Sequence, residues 1–122
     1  MKIVRAADAR RLDLPGRTSY EIASGAHGGA SFTFRRVEIP VAATTEAPRG
    51  QHRHRDFEEC IHVLSGRGLA TSASGDVEVG PGDTIVMPPG EFHATRNIGA
   101  EPLVLLCFFP VPDVRGGTEE PR

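Results

Sequence analysis

Between Ser31 and Ile39 apolar and polar residues alternate, with Phe32, Phe34, Arg36 and Glu38 on one face of a strand and Thr33, Arg35, Val37 and Ile39 on the other. The apolar side changes face midway. This predicts either a bulge near Arg35 that restores one core side, or an Arg36 that points inward with Phe32. Further short strands are expected at Cys60 to Ser65, Gly68 to Ser72, Val77 to Val79, Thr84 to Met87, Glu91 to Asn97 and Leu103 to Phe109. The turns between them are Ser65-Gly66, Ser74-Gly75-Asp76, Gly80-Pro81-Gly82 and Gly99-Ala100. Fourteen glycines and ten prolines punctuate the chain so often that little room is left for a helix of three turns. The chain reads as all-β, a meander of short strands.

The 122 residues fit one domain, long enough to bury about two-thirds of the unfolded surface in a single core. Residues 1–30 form an N-terminal strand or loop segment, swapped or packed on the barrel that residues 31–112 build. Within it Ala6 to Leu14 reads as a helical turn or loop, Pro15-Gly16 as a turn, and Ser24 to Ser31 as a flexible connection. Val41 to Gly50 is read as a loop leading into the histidine pair below, and 113–122 as a loose tail.

Composition narrows the function classes. The net charge is −2, and neither a Lys/Arg block nor interleaved basic and aromatic residues occur, which argues against a nucleic-acid partner. The longest apolar run, Leu103 to Phe109, is far short of the roughly 20 residues that cross a bilayer as a helix, so no membrane partner is expected. Cys60 and Cys107 are too few for a disulfide framework, and the opening Lys2-Ile3-Val4-Arg5 lacks the apolar stretch of a signal peptide. A cytoplasmic setting is the expectation.

The chemistry concentrates in two segments. His52 and His54 are two apart and share one face of a strand, where both imidazoles can reach one ion, while Arg53 points the other way. Glu59 follows across a four-residue corner and adds a hard oxygen donor. Downstream, the run Gly82 to His93 gives a tight turn, an apolar strand, a Pro-Gly turn and then a third imidazole, His93. A lone His-x-His is a weak signal, but four convergent donors of this type are a candidate metal site.

These residues resemble the two motifs of the cupin superfamily. His52, His54, Glu59 and Gly66 match the spacing of the first, although Glu46 stands where that motif has a leading glycine. Gly82, Pro88, Gly90, His93 and Asn97 match the second at every position. The resemblance covers about Glu46 to Asn97, and the flanking strands extend it to most of the chain. It implies a double-stranded β-helix, or jelly-roll barrel, that holds one divalent ion on His52, His54, Glu59 and His93. One or two coordination positions would stay open, unlike a closed structural zinc site. Imidazole and carboxylate donors suit Fe, Mn, Ni, Co or Zn without choosing among them.

Such a site implies a metal-dependent enzyme acting on a small organic molecule, by dioxygenase-type or isomerase/cyclase-type chemistry with the metal as Lewis acid or oxygen-activating centre. The alternative is a non-catalytic small-molecule-binding barrel, a sensor or storage form. Parity lines the cavity with Ile61, Val63, Phe32, Phe34 and Phe92, and makes an inward Arg36 the candidate anchor for a substrate carboxylate or phenolate. Cys60 and His62 should face away from the metal, Cys107 can face either way, and neither cysteine reads as a nucleophile. Glu58 is a solvated rim charge, His27 a loop residue, and Asn97 a residue that secures the turn after its strand. The apolar outward face through Cys60, His62 and Leu64 predicts a two-fold homodimer.

Overall fold

The computed structural model describes residues 1–42 and 50–121. Among these described residues a 3-10 turn, Ala6–Asp8, precedes eleven strands: β1 Arg10–Leu12, β2 Thr18–Ala23, β3 Thr33–Ile39, β4 Arg53–His54, β5 Glu59–Ser65, β6 Gly68–Ser72, β7 Gly75–Val79, β8 Thr84–Met87, β9 His93–Asn97, β10 Leu103–Phe109 and β11 Thr118–Glu119. All pairings between these strands are antiparallel. A six-stranded sheet runs β1-β2-β3-β10-β5-β8, a three-stranded sheet runs β7-β6-β9, and β11 pairs with β4. The expected strands from β3 onward are present. Most of the loop expected at Val41 to Gly50, including Glu46, lies outside the described residues. No helix long and apolar enough to cross a membrane occurs among the described residues.

The core follows strand parity. Along β10, Leu103, Leu105, Cys107 and Phe109 are buried and face inward, opposite Val37 of β3 and Ile61 and Val63 of β5. Val63 and Leu103 are fully buried. Gly66 turns β5 into β6 at φ 88°, a conformation that L side chains avoid. Asn97 secures the turn after β9: its amide donates to the carbonyls of Ile39 and Glu101, and its oxygen accepts from the Gly99 N–H.

Three expectations need correction. β3 carries no bulge against β10, and the irregularity lies in the neighbouring β2 between Glu21 and Ala23. Thr33, Arg35 and Val37 therefore face inward, while Arg36 faces outward and pairs with Glu38 at 2.7 Å. Arg36 is thus not a cavity anchor. Phe32 and Phe34 leave the interior with it, and Phe32 packs on the exposed Phe108. Secondly, Ala6 to Leu14, read as a helical turn or loop, holds the 3-10 turn Ala6–Asp8 and also the strand β1. β1 and β2 form a hairpin that hydrogen-bonds to β3 of the same chain, with polar Ser19 and Glu21 as its buried residues. Thirdly, the tail is held: Val114 joins the core and β11 zips onto β4, where Glu119 Oε2 accepts from both Nε and Nη2 of Arg53 and Oε1 accepts from Arg55.

Candidate metal centre

The two histidine segments meet because they pair with each other. His52 and His93 exchange backbone hydrogen bonds, N–H to carbonyl in both directions at 2.9 and 2.8 Å, which puts their rings side by side with centroids 4.5 Å apart. The Gly90 N–H donates to the His54 carbonyl at 2.8 Å, so the Pro-x-Gly turn is tied to the second histidine of the pair. Glu59 enters from the opposite sheet as the first residue of β5, paired with Met87. One donor atom from each of His52, His54, Glu59 and His93 can be chosen so that all lie within 4.8 Å of one another. Donors at about 2.1 Å from a common ion stand at most about 4.2 Å apart, so closure on an ion needs a shift of about half an ångström.

Hydrogen bonds orient the rings. His93 Nδ1 donates to the Glu91 carbonyl at 2.9 Å, because a carbonyl can only accept, and this turns Nε2 toward Glu59 Oε1 at 2.9 Å. His54 Nδ1 lies 3.1 Å from the Thr118 hydroxyl. That hydroxyl uses its hydrogen on the Val114 carbonyl at 3.4 Å, so it accepts from His54 Nδ1–H and leaves a lone pair on Nε2. His54 Nε2 is buried with no hydrogen bond among the described residues, 3.3 Å from Glu59 Oε1. A buried, unbonded imidazole lone pair beside a buried carboxylate fits a cation, and the donor set suits a transition metal. The aromatic rings of Phe57, stacked at 5.2 Å, and Phe109, edge-on at 5.0 Å, hold the His54 ring from two sides.

Burial, the largest influence on Glu59, pushes its carboxyl up, but the neighbouring His54 and His93 imidazoles outweigh it and bring the pKa to about 2. For His93 burial acts downward, and the hydrogen bonds to Glu59 and the Glu91 carbonyl outweigh it, raising the pKa above that of an ordinary imidazole. With Nδ1 donating to the Glu91 carbonyl, the 2.9 Å contact from His93 Nε2 to Glu59 is a hydrogen bond that needs a proton on Nε2, and an ion at the site must replace that proton. Metal uptake is expected to release a proton, with affinity falling as pH drops below the raised His93 pKa. Calorimetric titration in two buffers of different ionisation enthalpy checks this, and a heat independent of buffer would contradict it.

The centre opens on a cavity of about 830 Å³, within the range of small-molecule sites. Ile61 and Cys107 line it, which settles the orientation of Cys107; burial foremost, then the Glu59 charge, raises its thiol pKa far above the ordinary range and keeps it neutral. Phe92 does not line the cavity; it lies beneath the Arg53 guanidinium at 4.6 Å. His62 faces away from the centre and bonds Thr84, and Glu58 is exposed. The sequence reading missed Arg35, Ser19 and Phe109 on the cavity wall, and Thr118 behind His54. Strand parity alone could have found Arg35 once Val37 was fixed as a core residue.

Thr118→Val keeps the shape and removes the acceptor for His54 Nδ1. Metal affinity is expected to fall about 10–100-fold with the fold retained, as for other partners that orient a ligating histidine. A competition titration against a chromogenic chelator measures it, and unchanged affinity would remove Thr118 from the site.

Comparison with known proteins decides the family. Residues 35–109 match the cupin domain. The chain belongs to the cupin family. This cupin is 46% identical over 91 residues to an uncharacterized protein of Methanocaldococcus jannaschii, an alignment that covers 75% of this chain and 70% of that protein. Among solved structures it is similar to the oxalate decarboxylase of Lactobacillus farciminis in its formate complex, with TM-score 0.77, 21% identity, 93% of this chain and 34% of that one. The polyketide cyclase RemF of Streptomyces resistomycificus gives TM-score 0.74 and 23% identity over 98% of this chain and 84% of that one. The cupin thus spans about a third of the decarboxylase chain, and at these identities the likeness shows the shared fold alone.

Proposed function

We propose that this cupin is a metal-dependent enzyme acting on a small organic molecule, with one divalent ion held by His52, His54, Glu59 and His93. The observation that carries the reading is a convergent, mostly buried set of three imidazoles and one carboxylate at the floor of a ligand-sized cavity. A structural site would have no need of that opening. When bound, the ion would supply Lewis-acid polarisation of a ligand oxygen and, as iron(II), the means to activate dioxygen. Glu59 contributes the negative charge of the site, held ionised by its histidine neighbours. Ile61, Leu105 and Phe109 give the cavity apolar walls beside the His/Glu cluster. Cys107 stays protonated and is no nucleophile.

Metal analysis of protein purified without added metal, followed by oxygen uptake of the iron(II)-loaded form with catechols, thiols and keto acids, tests the reading. Substrate-dependent oxygen consumption supports dioxygenase-type chemistry. Conversion without oxygen uptake supports isomerase- or cyclase-type chemistry, and saturable binding without conversion would favour the non-catalytic barrel. Protein that takes up no divalent metal would refute the metal assignment.

We infer a two-fold homodimer through the outer face of the large sheet. Phe34, Phe108, Cys60 and Val86 form one outward row across β3, β10, β5 and β8, and Phe32, Leu64, Val86 and Phe108 are each more than a third exposed. In the N-terminal segment Val4, Arg5, Ala6 and Ala9 line a pocket with Tyr20, Ile22 and Arg36. A dimer burying on the order of 1,600 Å² in total is expected. Sedimentation showing a single species at 13.1 kDa at micromolar concentration would rule it out.

A further inference from the structure

The cavity wall formed by β2 and β3 carries polar groups that the fold leaves unmet. Arg35 projects inward between Thr33 and Val37, with its side chain 14% exposed. Its Nη2 lies 3.3 Å from Glu21 Oε1 and its guanidinium carbon 5.5 Å from the centre of the Phe109 ring, yet its buried Nε–H has no acceptor among the described residues. Ser19, fully buried on the adjacent strand, has a hydroxyl equally without a partner. Both residues line the same cavity as the His/Glu cluster. An unmet buried donor costs about 1–3 kcal/mol, so native proteins rarely leave two on one wall unless something else satisfies them.

Pairing with Glu21 does not account for Arg35. That carboxylate already accepts from Arg10 at 3.0 Å and from the Ser24 hydroxyl at 2.8 Å, so two guanidinium groups share one negative charge. Arg115, also at the cavity, is held by Asp113 through its own fork and adds little. Phe109 stands between the two poles. Phe109 touches the His54 ring with its edge and carries Arg35, so one aromatic ring separates the guanidinium from the nearest imidazole. The strands set the scale: Arg35 pairs with Cys107, Cys107 with Ile61, and Glu59 lies two residues along from Ile61, a Cα separation on the order of 12 Å that the long Arg35 and Glu59 side chains shorten.

We propose that Arg35 and Ser19 form an anion subsite, and that the ligand of this cavity is a small oxyacid whose carboxylate or phosphate rests on them while a second oxygen reaches the His52/His54/Glu59/His93 cluster. The second half rests on the metal reading above, and the first stands without it. A guanidinium edge with an adjacent hydroxyl matches the planar or tetrahedral oxygens of such a group. Apolar walls between the two poles leave space for a short carbon skeleton and little hydration.

The test is calorimetric titration of the manganese(II)-loaded full chain with lactate, its neutral amide lactamide, and glycerol 3-phosphate. Lactate and the phosphate ester separate the two anion types. At least one anion is expected to bind saturably, with lactamide at least ten-fold weaker than lactate where the carboxylate is the preferred headgroup. Arg35→Gln should weaken the bound anion at least ten-fold, Ser19→Ala a few-fold, and the outward Arg36→Gln not at all. Arg35→Lys, which keeps the charge and loses the fork, should fall between, and it serves alone if Arg35→Gln does not fold. No saturable anion binding to the wild type, or equal affinity in the Arg35 variants, overturns the subsite. Stoichiometric metal with no Arg35-dependent anion binding would sink the subsite and leave the metal reading. Arg35-dependent phosphate binding by a protein that takes up no metal would do the reverse.

Discussion

Substituting both His54 and His93 by alanine is expected to abolish metal binding and, with it, the effect of a chelator on the melting temperature. The two rings supply half of the donor set and come from different sheet pairings, so neither His52 nor Glu59 can close a site alone. An ion that binds only the folded barrel adds RT ln(1 + [L]/Kd), about 2.7 kcal/mol at a hundred-fold excess over Kd. For a domain of this size that corresponds to a shift on the order of 10 °C. The variant also leaves Glu59 buried without its imidazole partners, which lowers the stability of the metal-free protein by itself. The decisive comparison is therefore each protein with and without chelator: the wild type should shift and the variant should not. Full stoichiometric metal in the double variant would place the site elsewhere.

How much of this was legible in the sequence depends on what each residue reports. The His-x-His pair, Glu59 and the Gly82 to Asn97 run were readable because local chemistry sets them: a two-residue period fixes a shared face, and Pro and Gly fix turns. Their convergence was implied by the cupin resemblance and is built by the His52–His93 pairing, a long-range contact that no local pattern states. β3 was misread because Phe32 and Phe34 look like core residues, and the sheet instead buries Thr33 and Arg35. An arginine becomes an interior residue only when a partner such as Glu21 or an aromatic face such as Phe109 awaits it, and neither is near in sequence. The N-terminal hairpin hid for the same reason, since Ser19 and Glu21 occupy the positions where an apolar residue would have marked a buried face. In the tail the signal was a single apolar residue, Val114, among glycines and charges. Polar interior positions thus define both what the sequence concealed and where the cavity gains its specificity.

Gly66→Ala is the second change with a large expected effect, and it acts on the fold rather than the chemistry. Gly66 has φ 88°, and a Cβ there would meet the Pro102 carbonyl oxygen at 2.7 Å and the Leu103 Cα at 2.9 Å. These are backbone atoms of the segment entering β10, whose Leu103 is fully buried, so neither side can yield without moving the core. The strained backbone costs about 1–2 kcal/mol and the overlap about 1–3 more, for a loss of roughly 2–5 kcal/mol. Gly90→Ala is the internal control. It shares a positive φ, 82°, but a Cβ there meets nothing within 4 Å, so only the conformational cost of about 1–2 kcal/mol applies. Urea denaturation of the two metal-free variants compares them directly. Equal losses would show that the Gly66 turn is held by its dihedral angle alone, and that the close approach of β10 to this corner relaxes without cost.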